Sequence, residues 1–207
     1  MKLENQKILI DIDDTILKSS EEIIRQLNNK NGTSKTIDDL TDYGYRSIDE
    51  NITQEEINKM YASNEFFENV IFNDGALDFI VKYSKIFDII LVSYGTEENL
   101  MRKLKLFNDL VESYSLNNVY FVSFETGKSS KSDLFLDHVY LAIDNHSGHL
   151  EELNSPKKIL LKNFKEVDWN KTPINNENTY IANSFEDIDT MIQFDLKLKN
   201  MGVWLNA

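Results

Sequence analysis

Two apolar patterns alternate along the chain. Short, largely apolar runs recur at 8–10, 87–92, 119–122, 139–143 and 158–161, with a shorter one at 180–182; Asp88 and Lys158 are their charged members. Runs of this length with no polar face predict strands buried on both sides, as in a parallel sheet. Between them, apolar residues fall at helical spacing: Ile23, Ile24 and Leu27; Ile57, Met60 and Tyr61; Leu77, Ile80 and Val81; Leu100, Leu104 and Phe107; Ile188, Met191 and Ile192. Start and stop signals bracket these stretches. Ser19 with Glu22, and Thr53 with Glu56, have capping-box spacing. Asn31-Gly32 ends the first helix, and 36–40 starts another short one. Asp74-Gly75 opens a helix, Thr96 caps the next, and Ser184 with Asp187 caps the last. Strands alternating with helices predict an α/β fold: a three-layer, Rossmann-like parallel sheet with right-handed crossovers.

The alternation is uneven. Residues 18–70 carry helical periodicity and no strand signal, too long a stretch for a simple crossover between the first two strands. The expectation is a helical cap, 18–70, inserted after the first strand into a core formed by 1–17 and 71–207.

Composition narrows the function classes. The 207 residues are enough for one well-buried domain with an insert. A net charge of −13 repels polyanions, which excludes nucleic-acid duplexes and anionic membranes as favoured partners. No apolar run is long enough to span a membrane. The start, MKLENQ, passes straight into the first strand and leaves no room for a signal peptide. With no cysteine, disulfides, thiolate catalysis and Cys-bound zinc are excluded, which fits a cytoplasmic protein. Asn-rich stretches at 28–31 and 175–178 read as polar loops. Nothing in the sequence sets the oligomeric state.

The chemistry gathers at strand ends. The first apolar run leads into Asp11-Ile12-Asp13-Asp14-Thr15, the second ends at Ser93, and the fourth ends at Asp144. In a parallel sheet the carboxyl ends share one edge, so these groups can meet in one crevice. If the backbone stays extended, Asp11 and Asp13 point the same way. Converging carboxylates suit a hard divalent cation such as Mg²⁺ together with a phosphate. A hydroxyl and a Lys complete what metal-assisted phosphoryl transfer needs. Lys131, Lys128 and Lys103, in that order, are the candidates for the Lys. Gly127-Lys128-Ser129 is not a P-loop, because position 122, where its first Gly belongs, is Val. His146 and His149 follow Asp144 and read as loop or helix-start residues rather than a transition-metal site.

The series D-x-D-x-T, then a Ser ending the second strand, then Lys, then an acidic strand end resembles that of the haloacid dehalogenase (HAD) superfamily of phosphohydrolases. The resemblance spans about 7–150. It implies Asp11 as nucleophile, Asp13 as acid/base, Ser93 and a Lys as phosphate ligands, and Mg²⁺ held by Asp11, the Asp13 backbone carbonyl and Asp144. Two positions depart from the pattern: Asn145 stands where a second acid is frequent, and Asp14 where Gly is frequent. The helical insert and the stretch 65–76 resemble the 5′-nucleotidase, deoxyribonucleotidase-type branch. That implies a nucleoside 5′-monophosphate as the substrate. A sugar phosphate or other small phosphorylated metabolite is the rival, and a binding scaffold without turnover the second. Phe66 and Phe67, with Tyr43 and Tyr45, are aromatic candidates for the space above the phosphate; the two tyrosines are expected to pack the cap's own core instead.

Overall fold

The first apolar run lies at the middle of the molecule. A computed structural model of the chain describes residues 6–162, 167–171 and 178–201. The predicted Asn-rich loop at 175–178 lies outside the described residues except for its last position. Strand β1 (Lys7–Asp11) is flanked by β2 (Asp88–Gly95) on one side and β4 (Val139–Asp144) on the other. Outside these run β3 (Val119–Glu125), β5 (Lys158–Leu161) and β6 (Thr179–Ala182). The sheet order is β3-β2-β1-β4-β5-β6, with every pairing parallel. β2 and β3 run further than their apolar stretches, to Gly95 and Glu125.

Strand alternation divides the core between the two faces of the sheet. Ile8, Ile10, Ile89, Leu91, Leu141 and Ile143 enter one cluster, and Leu9, Ile90, Val92 and Ala142 enter the other. The first cluster is covered by α4 (Ala76–Tyr83), α5 (Glu97–Ser113) and α7 (Phe185–Asn200). The second is covered by the short helix α6 (Ser147–Glu152), through Leu150. Helices on both faces of a parallel sheet make the three-layer arrangement that the sequence predicts. Gly75 caps α4 at φ 75°, a conformation that a side chain would strain.

Between β1 and β2 the chain builds α1 (Ser19–Asn31), one 3-10 turn at Ile37–Asp39, α2 (Gln54–Tyr61) and α3 (Asn64–Asn69). The two ends of this excursion lie side by side. Leu17 bridges Phe72, Lys18 N–H donates to the Ile71 carbonyl, and Asn73 N–H donates to the Ile16 carbonyl. The excursion has its own buried cluster, with Ile23, Ile24, Leu27, Leu40, Ile57 and Phe66 among its members. Val167 and Trp169, from beyond β5, complete it.

The capping box at Thr53 and Glu56 forms: the Glu56 N–H donates to Thr53 Oγ1, and the Thr53 N–H donates to Glu56 Oε2. Gly32 ends α1 in the left-handed conformation. The expected box at Ser19 does not form. Lys18 holds the cap position and makes no side-chain cap bond, while the Ser19 hydroxyl donates to Asp13 Oδ1 at 2.8 Å. A nearby carboxylate outcompetes the helix's own N–H groups for that hydroxyl.

Phe66 is fully buried, and its ring meets Tyr61 and Phe67 at centroid distances of 5.3 and 5.0 Å. Phe66→Ala is expected to destabilise the protein by about 3–5 kcal/mol in urea denaturation. A loss below about 1 kcal/mol would show that the insertion does not depend on this ring.

Candidate active site

The sheet reverses its winding between β1 and β4, and ligands of open α/β sheets bind outside the strand ends at such a point. Ile10 pairs with Ile143, so the next residues, Asp11 and Asp144, emerge side by side at the carboxyl edge. Both are buried. Lys131, at the start of a single 3-10 turn (Lys131–Asp133), is buried beneath them. Its ammonium donates to Asp11 Oδ1 at 2.5 Å and to Asp144 Oδ2 at 2.7 Å. The second oxygen of Asp144 accepts the His146 backbone N–H at 2.8 Å.

Charge at this point is unbalanced. Burial pushes the Asp11 carboxyl up to about 6, the Asp144 charge adds to this, and Lys131 opposes it. Burial also raises Asp144, against the ammonium of Lys131. Asp14 lies close by at φ 55° and is raised to about 7, again chiefly by burial. It accepts both the backbone N–H and the hydroxyl of Ser20.

A second ammonium serves Asp13. Lys103, on α5, has no exposed surface; it is ion-paired with Asp13 Oδ2 and donates to Ser93 Oγ at 3.0 Å. Lys103 was the third of the predicted lysines. Ser93 therefore reaches the site through Lys103. It is fully buried within β2 and, like Asp144 and Lys131, is not among the residues that line the cavity above the carboxylates. Thr15 and Asn145 bond reciprocally: the Thr15 hydroxyl donates to Asn145 Oδ1 at 3.2 Å and accepts the Asn145 N–H at 3.0 Å.

A cavity of about 300 Å³ opens above these groups, with Asp11, Asp13 and Asp14 in its lining. From the insertion it receives Tyr43, Tyr45, Gln54, Asn58 and Tyr61, and from the sheet side Tyr94, Asn99, His146, His149 and Trp169. Three of the expected residues are not brought here. Lys128 follows a turn at Gly127, φ 78°, that directs it outward; its side chain is 67% exposed and pairs with Glu125 at 2.7 Å. Phe66 and Phe67 face the insertion's own cluster, because the phase of α3 turns them inward. Tyr43 and Tyr45 border the cavity instead, and Tyr45 is also a buried member of the insertion's own cluster, as expected of it. Tyr43 meets His146 and Trp169 edge-on at 5.7 and 5.6 Å. The Tyr45 hydroxyl lies 2.7 Å from Ser20 Oγ and 2.8 Å from the Tyr61 hydroxyl. His146 caps α6 by accepting the His149 N–H, and the two rings stack at 4.0 Å.

The donor set suits a hard cation. Among the described residues, no three His, Cys, Asp or Glu side chains are grouped to hold a metal ion by themselves. Mg²⁺ needs only one or two carboxylates and keeps several waters. Here two buried carboxylates share one ammonium, a residual negative charge that a divalent cation would offset.

No family model matches the chain, and no curated protein matches it. Solved structures do. A haloacid dehalogenase-like hydrolase family protein from Streptococcus pneumoniae is 12% identical, with a TM-score of 0.60 over 92% of this chain and 98% of its own. The candidate HAD-hydrolase YfnB from Bacillus subtilis, bound to magnesium, is 18% identical, with a TM-score of 0.54 over 91% and 98%. A HAD-superfamily hydrolase of subfamily IA from Geobacter sulfurreducens is 12% identical, with a TM-score of 0.51 over 91% and 96%. The chain has the fold of the HAD-like hydrolases.

Protonation of Asp11 and Asp14 is linked to stability. Their folded values, about 6 and about 7, lie above the ordinary carboxylate value of about 4. The folded state thus holds protons that the unfolded state releases, and this contribution fades as pH rises through 6 and 7. Without metal, the melting temperature is expected to be lower at pH 8 than at pH 5, and added Mg²⁺ to raise it more at pH 8. A melting temperature that climbs between pH 5 and 8, or one indifferent to Mg²⁺ at both, would contradict this charge balance.

Proposed function

We propose that the protein is a Mg²⁺-dependent phosphatase that hydrolyses a small phosphomonoester, a nucleoside 5′-monophosphate foremost, through an aspartyl-phosphate on Asp11. The observation that carries the reading is the meeting of Asp11 and Asp144 on one buried ammonium at the switch point of the sheet. The segment 18–70 acts as a cap, placing its tyrosines over the strand ends.

A carboxylate is a sufficient nucleophile once ionised, and attack on phosphorus needs it fixed in place. Lys131 holds Oδ1 of Asp11, which leaves Oδ2 to attack. The new bond joins this oxygen to phosphorus while the ester P–O bond breaks. Both oxygens of Asp13 accept here, from Ser19 and from Lys103, so Asp13 first takes up a proton from solvent and then gives it to the leaving oxygen. Water then attacks the phosphorus, Asp13 takes its proton, and inorganic phosphate and free Asp11 result. Mg²⁺, held by Asp11, the Asp13 backbone carbonyl and Asp144, would offset the repulsion between carboxylate and phosphate. Lys131 adds positive charge beside the attacking group, and Lys103 adds it beside the acid/base.

Mg²⁺ fits the oxygen-only donors, and the magnesium-bound structure of similar fold supports the same choice. The aromatic lining supports a substrate with a flat ring.

Purified protein with Mg²⁺ is expected to release phosphate from nucleoside 5′-monophosphates faster than from sugar phosphates. Asp11→Asn is expected to lower kcat at least about a thousandfold while leaving the melting curve cooperative. An unchanged rate in this variant would remove Asp11 from the mechanism, and equal, feeble turnover of every ester would count against the nucleotide assignment.

A further inference from the structure

The distribution of charge around the cavity carries a statement about the leaving group. Carboxylates and buried ammonium groups are confined to the strand ends. Both of those ammonium groups are committed, Lys131 to Asp11 and Asp144, and Lys103 to Asp13 and Ser93. Of the described residues that line the rest of the cavity, none is Lys, Arg, Asp or Glu. One part of this lining is aromatic, with Tyr43 edge-on to both Trp169 and His146. Another is made of neutral amides, Gln54, Asn58 and Asn99. Asn99 is fixed by donating to the Tyr61 carbonyl at 2.6 Å, and Gln54 donates to Asn58 Oδ1 at 3.0 Å.

We infer that the cavity selects singly phosphorylated esters whose leaving group carries no further negative charge. It would reject bisphosphates and carboxylated phosphoesters such as phosphoamino acids. This rests on the phosphatase reading above and adds a selection rule to it. An anion entering the partly enclosed upper cavity would exchange water for a described lining that offers no Lys or Arg, and in which burial disfavours the charged form of His146 and His149. It would also stand above three aspartates, in the field of a chain of net charge −13. A neutral ring loses little on entry, gains contact with the aromatic wall, and leaves the amides to meet its polar edge. Discrimination here comes from what the wall withholds.

The test uses matched pairs, with purified protein and Mg²⁺. Phenyl phosphate is compared with 4-carboxyphenyl phosphate, and a nucleoside 5′-monophosphate with its 3′,5′-bisphosphate. The charged member of each pair is expected to have a kcat/KM lower by at least about thirtyfold, mostly through KM. Asn58→Lys, which places a cation in the amide wall, is expected to narrow that gap by at least about tenfold. Equal turnover within the pairs would overturn the selection rule and leave the phosphatase reading standing. Discrimination that Asn58→Lys does not change would overturn the assignment of the rule to this wall. If no ester is turned over, the phosphatase reading fails and the rule with it.

Discussion

The ammonium of Lys131 is buried between two carboxylates that come from opposite halves of the chain. A lone buried charge is costly, and a buried pair is favourable only when geometry and hydrogen bonding are good. Here the ion cluster is short one positive charge. β1 delivers Asp11 and β4 delivers Asp144 at adjacent registers, and a 3-10 turn before β4 folds Lys131 under both. Burial then holds both carboxyl groups above their usual range despite the ammonium. Such a cluster is poised to accept a further cation. The fold positions it where the sheet reverses its winding, at an edge where strand ends open onto a crevice.

A second tier of contacts ties the insertion to that cluster. Ser19 and Ser20 lie at the start of α1, and their hydroxyls serve Asp13 and Asp14. From Ser20 the hydrogen bonds continue through the hydroxyls of Tyr45 and Tyr61, and Asn99 on α5 holds the Tyr61 backbone. The acidic loop, the insertion and α5 are thus linked by polar contacts rather than by apolar packing alone. Networks of this kind fix geometry when every member is satisfied. They hold the cavity walls at a set distance from the carboxylates.

The sheet was legible because each central strand is apolar on both faces and ends on a chemically distinct residue. The meeting of Asp11, Asp13 and Asp144 at one crevice follows from that pattern of strand ends, whereas Lys131, buried against two of them, follows from the order of the family's series. Lys103 ranks third because it lies on the helix after Ser93, not shortly before the fourth strand where the family's series has its Lys, yet a signal is present. It falls between Leu100 and Phe107 on the stripe of α5 that faces the core, where a cation needs a buried partner. Ser19 was misread because capping is a local rule, and its acceptor, Asp13, arrives only when the loop folds back. The aromatic expectation holds for Tyr45, which packs the insertion's cluster, and differs at Phe66, Phe67 and Tyr43 for a similar reason. Phe66 and Phe67 are adjacent in a six-residue helix whose phase the sequence does not mark, whereas Tyr43 sits in a loop free to face the crevice. Asn145 stood out as a departure from the expected acidic pair, and its tie to Thr15 gives it a structural task that needs no charge.

Calorimetric titration of Mg²⁺ into the wild-type protein and into Asp144→Asn at pH 7.5 addresses the charge imbalance itself, apart from any substrate. One site per chain is expected in the wild type, weakened at least about tenfold in the variant, in line with the loss of one of two carboxylate ligands. No binding to the wild type, or equal binding to both proteins, would contradict a cation held between Asp11 and Asp144.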